Sequence, residues 1–304
     1  MTLSDGWKYE ESPHDLTTVY YFGLNPLDQK AVISGDIDLN VHEDQVYGQY
    51  YPTLTSGSKF GDKLSAHFVP VNALPFYWML GKATDADGVK TITNMDGSAL
   101  KPRLDFWQQT DTLKYHHYSA VISNLKLEWD KYGLDLTLNG KCGEHGVDTN
   151  TPTKAFPDDG AAEITSVFNH INTMVWNATP LTPLKLQLDL NQEVKGYPDT
   201  DGEFYSALGE FSPITGLYHL QFTSTQVADL ITDAIAQTSR TFAWQIDKAG
   251  NDHYMAFSST AKIVSLVPTR DFNRGLQIWD VAMKIGAITL TAVDDLANSF
   301  YQIV

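Results

Sequence analysis

A two-residue alternation of apolar and polar side chains dominates this sequence. In residues 125–139, leucines and a tryptophan alternate with charged and polar residues on both sides of a turn, and residues 37–42 and 184–191 follow the same rule. Successive side chains of a strand point to opposite faces, so such strands bury one face and expose the other, as in antiparallel sheets. The chain is therefore predicted to be mainly β. The segment 125–139 is predicted to form a hairpin with Gly133 at a positive-φ turn position.

Helical signals are confined to two short segments. The first is 71–81, where Pro75 would lie in the first turn and Gly81 just past the end. The second is 225–237, whose apolar residues fall on one stripe, with Ser224 as the expected N-cap. Each half of the chain is therefore predicted to carry one short helix beside its strands, an α+β arrangement with few helices.

The charge balance is strongly acidic. The chain has 37 Asp and Glu residues against 21 Lys and Arg residues, a formal net charge of -16, and no run of Lys or Arg. Tight binding to nucleic acid depends on Lys and Arg side chains that neutralise phosphates. A conventional DNA-binding protein is therefore not expected.

Cysteine usage and the N-terminal residues bear on the compartment. Cys142 is the only cysteine, which excludes an intrachain disulfide and a cysteine zinc site, and we expect it to be a small apolar residue of a strand. The opening residues MTLSDGWKYEESPHD are acidic where a signal peptide would be basic and then apolar. No apolar stretch approaches the ~20 residues of a membrane span. We expect synthesis and folding in a cytoplasm.

The order of elements in the first half recurs in the second. The run GDIDLN at 35–40 matches LQLDLN at 186–191, with an offset of 151 residues (191 minus 40). Phe68 matches Phe222 before each helix, with an offset of 154 (222 minus 68). Further matches are Trp107 with Trp244, offset 137 (244 minus 107), and His117 with His253, offset 136 (253 minus 117).

This preserved order favours a tandem duplication. The alternative is two unrelated β-rich domains that happen to share short sequence patterns common in strands. The segment 144–165 is rich in Asp, Thr, Pro and Gly, which is typical of a linker. We expect a first β domain at 1–145, a linker at 146–165 and a second β domain at 166–304.

The first half resembles the tail tube proteins, or major tail proteins, of long-tailed viruses (siphoviruses). The resemblance rests on four segments of residues 15–143: GDIDLN, EDQVYGQYYPTLTSGSKFGD, LSAHFVPVNALPFYWMLGK and HHYSAVISNLKLEWDKYGLDLTLNGKC. The second half departs from the pattern. It has no Leu-Gly helix end, and Pro268 is expected to interrupt its last hairpin.

The resemblance implies a fold and a structural role. Members of this family form a β-sandwich flanked by a helix, and neighbouring subunits join sheets into an inner β-barrel. Six such domains form a ring, and stacked rings build a hollow tube through which DNA leaves the capsid. A chain with two copies is expected to form homotrimeric rings with pseudo-sixfold symmetry in the virion tail. The expected partners are other copies of the chain, further tail proteins, a tape-measure protein inside the tube, and double-stranded DNA that passes without tight binding.

Two residue sets follow from this resemblance as expectations. The exposed strand faces are expected to line the lumen, with Ile37, Leu39, Leu188 and Leu190 turned toward the core. The lumen set comprises Asp38, Asn40, Lys185, Gln187, Asp189 and Asn191.

The second set consists of aromatic residues in two long loops, which are expected to contact neighbouring rings because aromatic side chains carry much of the energy of interfaces. The alternative is local packing against their own domain. This set comprises Tyr47, Tyr50, Tyr51, Phe60, Tyr197, Phe204, Tyr205 and Phe211.

No motif points to catalysis. The chain lacks H-E-x-x-H, G-x-S-x-G and phosphate-binding glycine motifs. Residues 85–88 and 199–203 resemble the start of a calcium loop but lack its sixth-position glycine, so hairpin turns are expected there. We expect no catalytic residue, metal or cofactor, and no enzymatic activity.

Two alternatives to the tail tube remain open. One is a two-domain β-sandwich virion protein that binds carbohydrate or a receptor through exposed aromatics such as Trp107 and Trp244. The other is a β-sandwich hydrolase with a carboxylate pair, such as Glu128 with Asp130 or Asp36 with Asp38.

Overall fold

The computed structural model describes the strands, both helices and the residues that adjoin them. The described residues are 6–11, 21–23, 32–36, 41–44, 53–56, 63–68, 70, 72–94, 101–102, 104–109, 114–130, 133–141, 144–148, 168–198, 205–223, 227–248, 252–271 and 276–294.

The chain is built mainly from β-strands, as predicted. The first half contains β1 (Gly6–Glu11), β2 (Tyr21–Gly23), β3 (Val32–Asp36), β4 (Val41–Asp44), β5 (Thr53–Ser56), β6 (Lys63–Phe68), α1 (Leu74–Leu80), β7 (Gly81–Ala86), β8 (Val89–Asn94), β9 (Leu104–Gln109), β10 (Lys114–Asp130), β11 (Gly133–Lys141) and β12 (Glu144–Asp148). The second half contains β13 (Phe168–Trp176), β14 (Thr179–Pro180), β15 (Lys185–Asn191), β16 (Val194–Pro198), β17 (Tyr205–Phe211), β18 (Thr215–Thr223), α2 (Ala228–Ala236), β19 (Ser239–Lys248), β20 (Tyr254–Asp271) and β21 (Leu276–Val293).

Eight strands form one continuous antiparallel sheet that crosses both halves. Their order is β3-β6-β11-β10-β15-β18-β21-β20. The first four belong to the first half and the last four to the second. The two sets meet where β10 pairs with β15, from Asn124↔Asn191 to Trp129↔Leu186. We call this pairing the joined junction.

The long strands β10 and β20 also contribute to further pairings. The first part of β10 pairs with β9 and β12. The first part of β20 pairs with β19, which in turn pairs with β13. Each long strand has a bulge where it passes from one set of neighbours to the other, between Ile122 and Asn124 in β10 and between Ile263 and Ser265 in β20. A bulge bends a strand, so one strand can serve two layers.

The larger of two hydrophobic clusters among the described residues lies behind the eight-stranded sheet. It includes Leu125 and Leu127 of the first half and Leu186 and Leu188 of the second, all fully buried. Burial of apolar area on this scale is the main stabilising contribution to such a fold. The two halves therefore share a core as well as a sheet.

Helix α1 confirms its predicted ends. Pro75 lies in the first turn, where its missing N–H costs no hydrogen bond. Gly81 closes the helix in the left-handed conformation (φ 93°) and its N–H donates to the carbonyl of Tyr77.

Helix α2 begins later than predicted. Val227 occupies the N-cap position, without a side-chain hydrogen bond, so the prediction of Ser224 as the cap is wrong. Ser224 itself lies outside the described residues. Asp229 lies in the first turn of the helix, where a negative charge is favoured by the helix dipole.

The predicted turns agree with the structure wherever they are described. Gly133, the first residue of β11, has a φ of 145° and lies opposite Asp130 of β10. Asp87 and Gly88, with φ of 55° and 81°, join β7 to β8 in a two-residue hairpin turn, as expected. Residues 199–203 lie outside the described residues, between the paired strands β16 and β17.

Pro268 does not interrupt the last hairpin, which corrects the sequence-based expectation. It lies within β20, opposite Trp279 of β21. Within the described residues, β20 pairs with β19 only as far as Lys262. Beyond that residue β20 is at the edge of the described sheet, a position at which proline is found in strands.

The central segment is described only at its margins. Strand β12 pairs with β10 and extends to Asp148, so the first-half sheet reaches into the predicted linker 146–165. Cys142 and residues 149–165 lie outside the described residues. In the part of the chain that the structure describes, no helix has the length and apolar character needed to cross a membrane.

Candidate sheet-edge interface

The predicted polar face of β15 lies opposite the core. Leu186, Leu188 and Leu190 are buried, whereas Lys185, Gln187 and Asp189 are partly exposed and Asn191 is exposed. The prediction that Leu188 and Leu190 face the core is confirmed. Asp38 and Asn40, with Ile37 and Leu39, lie outside the described residues.

Side-chain hydrogen bonds cross the joined junction on this polar face. Asn124 Nδ2 donates to Asp189 Oδ1 at 2.9 Å and to Asn191 Oδ1 at 2.7 Å. Asn139 Nδ2 donates to Asn124 Oδ1 at 2.9 Å, and Asn191 Nδ2 donates to Asp189 Oδ1 at 2.7 Å. Four side chains from three strands are thus linked, which fixes the register of β10 against β15.

Lysines on the same face lie next to a carboxylate. Lys126 Nζ is 3.1 Å from Glu128 Oε1, and Lys185 Nζ is 3.8 Å from the same oxygen. Because all three side chains are partly exposed, these pairs contribute little to stability. They do reduce the positive potential that the lysines would otherwise present to a polyanion. Glu128 is therefore one member of a charge cluster on this face.

Matching strands of the two halves show the same pairing order, although the offset in residue number differs from strand to strand. His116 lies opposite Trp107, and Phe257 lies opposite Trp244. The offset is 137 between the tryptophans, as predicted, and 141 between their partners (257 minus 116). The bulge of β10 and that of β20 are also 141 residues apart (263 minus 122). We call residues that hold the same ladder position in the two halves counterparts.

The registers of β3 with β6 and of β15 with β18 give a different offset from the one obtained by matching the two Asp-Leu-Asn segments. Val32 lies opposite His67, and Lys185 lies opposite Gln221. The offset between β3 and β15 is therefore 153 (185 minus 32), where the segments gave 151. A shift of two residues keeps side chains on the same face of a strand, so the counterpart of Asp189 becomes Asp36, and the lumen role of Asp38 and Asn40 stays a prediction.

The last part of β20 forms an open edge of the sheet. Among the described residues, 263–271 pair with β21 but have no neighbour on the other side. Val264 is 51% exposed and Val267 is 50% exposed, two of the largest apolar exposures in the described chain. At the opposite end, β3 pairs with β6 alone within the described residues. An open edge with apolar side chains is a template for pairing with another strand.

The second long loop is a β-hairpin, β16–β17, whose base is held by the first half. Gln192 N–H donates to the carbonyl of Ser123 at 2.8 Å, and Lys141 Nζ donates to the carbonyl of Val194 at 2.8 Å. Strands β4 and β5 form the corresponding hairpin in the first half. We call these hairpins the first and second arms.

A buried lysine also supports the second arm. Lys101 donates to Gln192 Oε1 and lies 5.7 Å from the centre of the Phe211 ring. Gln192 Nε2 in turn donates to the carbonyl of Ser212 at 2.7 Å. Burial disfavours the charged ammonium and lowers the pKa of Lys101 to about 7. No local sequence signal distinguishes this lysine from a surface lysine.

The aromatic residues of the arms fall into three groups. Tyr47, Tyr50, Tyr51, Phe60 and Phe204 lie outside the described residues. Tyr197 and Tyr205 belong to β16 and β17, and their contact with other rings stays a prediction. Phe211 lies at the base of the second arm and packs against Val121 and Val194, as the local alternative predicts.

Trp244 is buried, so the prediction that it is an exposed binding residue is wrong. Its ring stacks on Phe257 with centroids 4.0 Å apart, and its Nε1 donates to Tyr218 Oη at 3.1 Å. Burial raises the pKa of Tyr218 to about 12, which keeps this hydroxyl neutral. Phe76 of α1 contacts Phe257 at 5.1 Å and extends the aromatic cluster across both halves. Trp107 belongs to β9.

A further contact between the halves is made by the hairpin β7–β8. Strand β8 pairs with β21 from Lys90↔Ala292 to Thr93↔Thr289. Lys90 forms a buried ion pair with Asp294, and Asp294 Oδ2 accepts the N–H of Ala73 at 2.9 Å. Charge pairing and hydrogen bonds compensate for the burial of this carboxylate.

Comparisons with known proteins add no family assignment. No protein-family model matches the chain, and no curated protein matches it significantly. Within the described ranges, no three His, Cys, Asp or Glu side chains come together as a metal site.

Proposed function

We propose that this chain is a viral tail tube protein that assembles as homotrimeric rings, which stack into the hollow tube through which genomic DNA passes. The observation that carries the proposal is the joined junction. It connects two four-stranded sets of the same order and register, and it leaves β3 and β20 as the outer strands. These outer strands are the counterparts of β15 and β10, the two strands that the junction pairs.

The geometry of the two outer strands favours pairing between copies. All seven pairings of the eight-stranded sheet are antiparallel, so β3 and β20 run in opposite directions. The β20 edge of one copy can therefore pair with β3 of the next in the way β10 pairs with β15. Three copies with two counterpart halves each would give pseudo-sixfold symmetry, and closed rings leave no open edges.

The polar face supports the assignment of a lumen. In the described part of this face, lysines of the joined junction lie beside Glu128. Asp189 and the asparagines bind one another and offer no cluster of cations. Phosphate contacts would add affinity and slow the passage of DNA. A wall of compensated charges and amides suits a conduit that holds a tape-measure protein and then releases DNA.

The direct test is self-assembly of the purified full chain. We expect negative-stain electron microscopy of concentrated protein to show rings of three copies and stacked tubes. Mass photometry of diluted samples is expected to show trimers in equilibrium with monomers. A strictly monomeric particle at every concentration would contradict the proposal, as would a compact dimer with both outer strands exposed.

A further inference from the structure

We infer that the exposed Lys284 binds the backbone carbonyl of Val41 in a second copy of this chain and thereby sets the register in which β20 pairs with β3. This inference rests on the proposed assembly into rings. It adds to that proposal a named donor, a named acceptor and a defined alignment of the two strands.

The inference starts from a contact that the chain already makes within itself. Lys141 lies at the end of β11, opposite Val121 of β10 and Lys63 of β6. Its ammonium group donates to the carbonyl of Val194 at 2.8 Å in a partly buried position. Val194 is the first residue of the second arm, opposite Phe211. The lysine therefore ties the arm to the sheet beside the joined junction.

Lys284 holds the same ladder position in the second half. It lies opposite Lys262 of β20 and Leu217 of β18. Lys262 lies 141 residues after Val121, which is the offset between β10 and β20. Leu217 lies 154 residues after Lys63, which is the offset between β6 and β18. Yet Lys284 is exposed, unlike the partly buried Lys141. Its position is that of a donor whose acceptor belongs to another molecule.

The acceptor follows from the same offsets. Subtracting the offset of 153 from residue number 194 gives 41, so the counterpart of Val194 is Val41. Val41 is the first residue of the first arm and lies opposite Ser56. The two arms thus begin at counterpart residues, and in both cases the residue is valine. If β3 of a second copy takes the place of β15, the carbonyl of its Val41 lies within reach of Lys284.

The offsets also specify the alignment of the two strands. The joined junction pairs Lys126 with Asp189 and Glu128 with Gln187. Adding 141 to the residue numbers of β10 and subtracting 153 from those of β15 gives the corresponding residues of β20 and β3. Four pairs between copies are predicted: Val267↔Asp36, Pro268↔Gly35, Thr269↔Ser34 and Arg270↔Ile33. A one-residue slip would turn every side chain to the other face, so the alignment is strongly specified.

The first experiment removes the donor. We expect Lys284→Met to raise the protein concentration at half-assembly about tenfold, because a charged hydrogen bond to a carbonyl is lost. Lys284→Arg keeps a donor and should stay within threefold of the wild type. Lys185→Met is the matched control, since this lysine lies on the polar face of the joined junction and contacts Glu128 in its own chain. It should leave assembly unchanged, as measured by mass photometry.

The second experiment reads the alignment by disulfide formation between copies in a Cys142→Ser background. Residues directly opposite are close enough for a disulfide, whereas residues two positions apart are not. Val267→Cys with Asp36→Cys should give covalent trimers under oxidation. Val267→Cys with Ser34→Cys is the control with a shift of two residues, and it should remain largely monomeric on a non-reducing gel.

The outcomes separate this inference from the proposed function. Covalent trimers from the first cysteine pair, together with weakened assembly of Lys284→Met, support the inference. Rings that form normally with Lys284→Met, or that cross-link only through the shifted pair, overturn it and leave the tail tube proposal standing. A wild-type chain that never assembles overturns both.

Discussion

At the joined junction β10 pairs with β11, and at the open edge β20 pairs with β21 in the corresponding register. The two regions differ in how far the side chains of β10 and β20 are buried. Leu125 and Leu127 are fully buried beneath the joined junction. Their counterparts are Leu266, which is only partly buried, and Pro268, which is exposed. The difference teaches that burial is complete where β10 has a neighbour on both sides and incomplete where β20 has one among the described residues. Under the proposed assembly, another copy of the chain would complete the second region.

The polar faces of the two regions differ in charge. The joined junction carries an amide and two charged side chains, which are already satisfied within the chain. The counterparts at the open edge are smaller and uncharged: Ser265 for Asn124, Val267 for Lys126 and Thr269 for Glu128. Because removing charges from water is costly, uncharged side chains at these three positions lower the free energy needed to bring two copies together.

The largest difference between the regions should come from core truncation at the joined junction. We expect Leu125→Ala to lower the free energy of unfolding by about 2–5 kcal/mol, because it leaves a cavity beneath a completed sheet. Urea denaturation of the dilute monomer measures this value. A loss below about 1 kcal/mol would mean that the shared core does not depend on the junction.

A pH dependence should mark the joined junction, where Lys101 is buried. The pKa of this lysine is about 7 in the folded chain and 10.5 for an ordinary lysine in water, so between those values the unfolded chain binds more protons. Stability is therefore expected to rise with pH from 7 to about 10, by up to ~1.4 kcal/mol per unit.

Lys101→Met should abolish this rise. Urea denaturation at several pH values checks the slope, and Lys126→Met, on the partly exposed face, serves as the control that keeps it. An unchanged slope in Lys101→Met would assign the pH dependence to other groups.

The smallest effect on the monomer is expected at the open edge. Leu266→Ala should cost only about 1 kcal/mol of unfolding free energy, because Leu266 is only partly buried, unlike its counterpart Leu125. It should nevertheless raise the concentration at half-assembly, since the missing side chain would be buried when a second copy binds. Parallel urea denaturation and mass photometry distinguish the two effects. A loss equal to that of Leu125→Ala would remove the contrast between the regions.

Local patterns in the sequence predicted the strand faces and several element ends. The alternation in 125–139 and 184–191 assigned the buried leucines correctly, because side-chain direction depends only on position along a strand. Pro75, Gly81 and Gly133 marked helix and turn positions whose backbone conformations these residues favour.

Partner choice could not be predicted in the same way. Alternation shows which face of β10 is buried but not that β15 lies beside it, because pairing depends on contacts distant in the sequence. The strand registers give an offset of 153 between β3 and β15, two residues more than the shared Asp-Leu-Asn sequence gives. Lys101 was missed because its burial results from the second arm, which folds over it from the other half.

The hairpin β7–β8 affects the symmetry that an assembled ring would present to other proteins. It follows α1 in the first half, whereas α2 is separated from β19 only by Gln237 and Thr238. Its turn at Asp87 and Gly88 is exposed. A ring of three chains would therefore present this turn three times around its circumference, although its wall repeats six times. A protein that docks on the wall would find six similar binding sites per ring, whereas one that docks on the hairpin turn would find three.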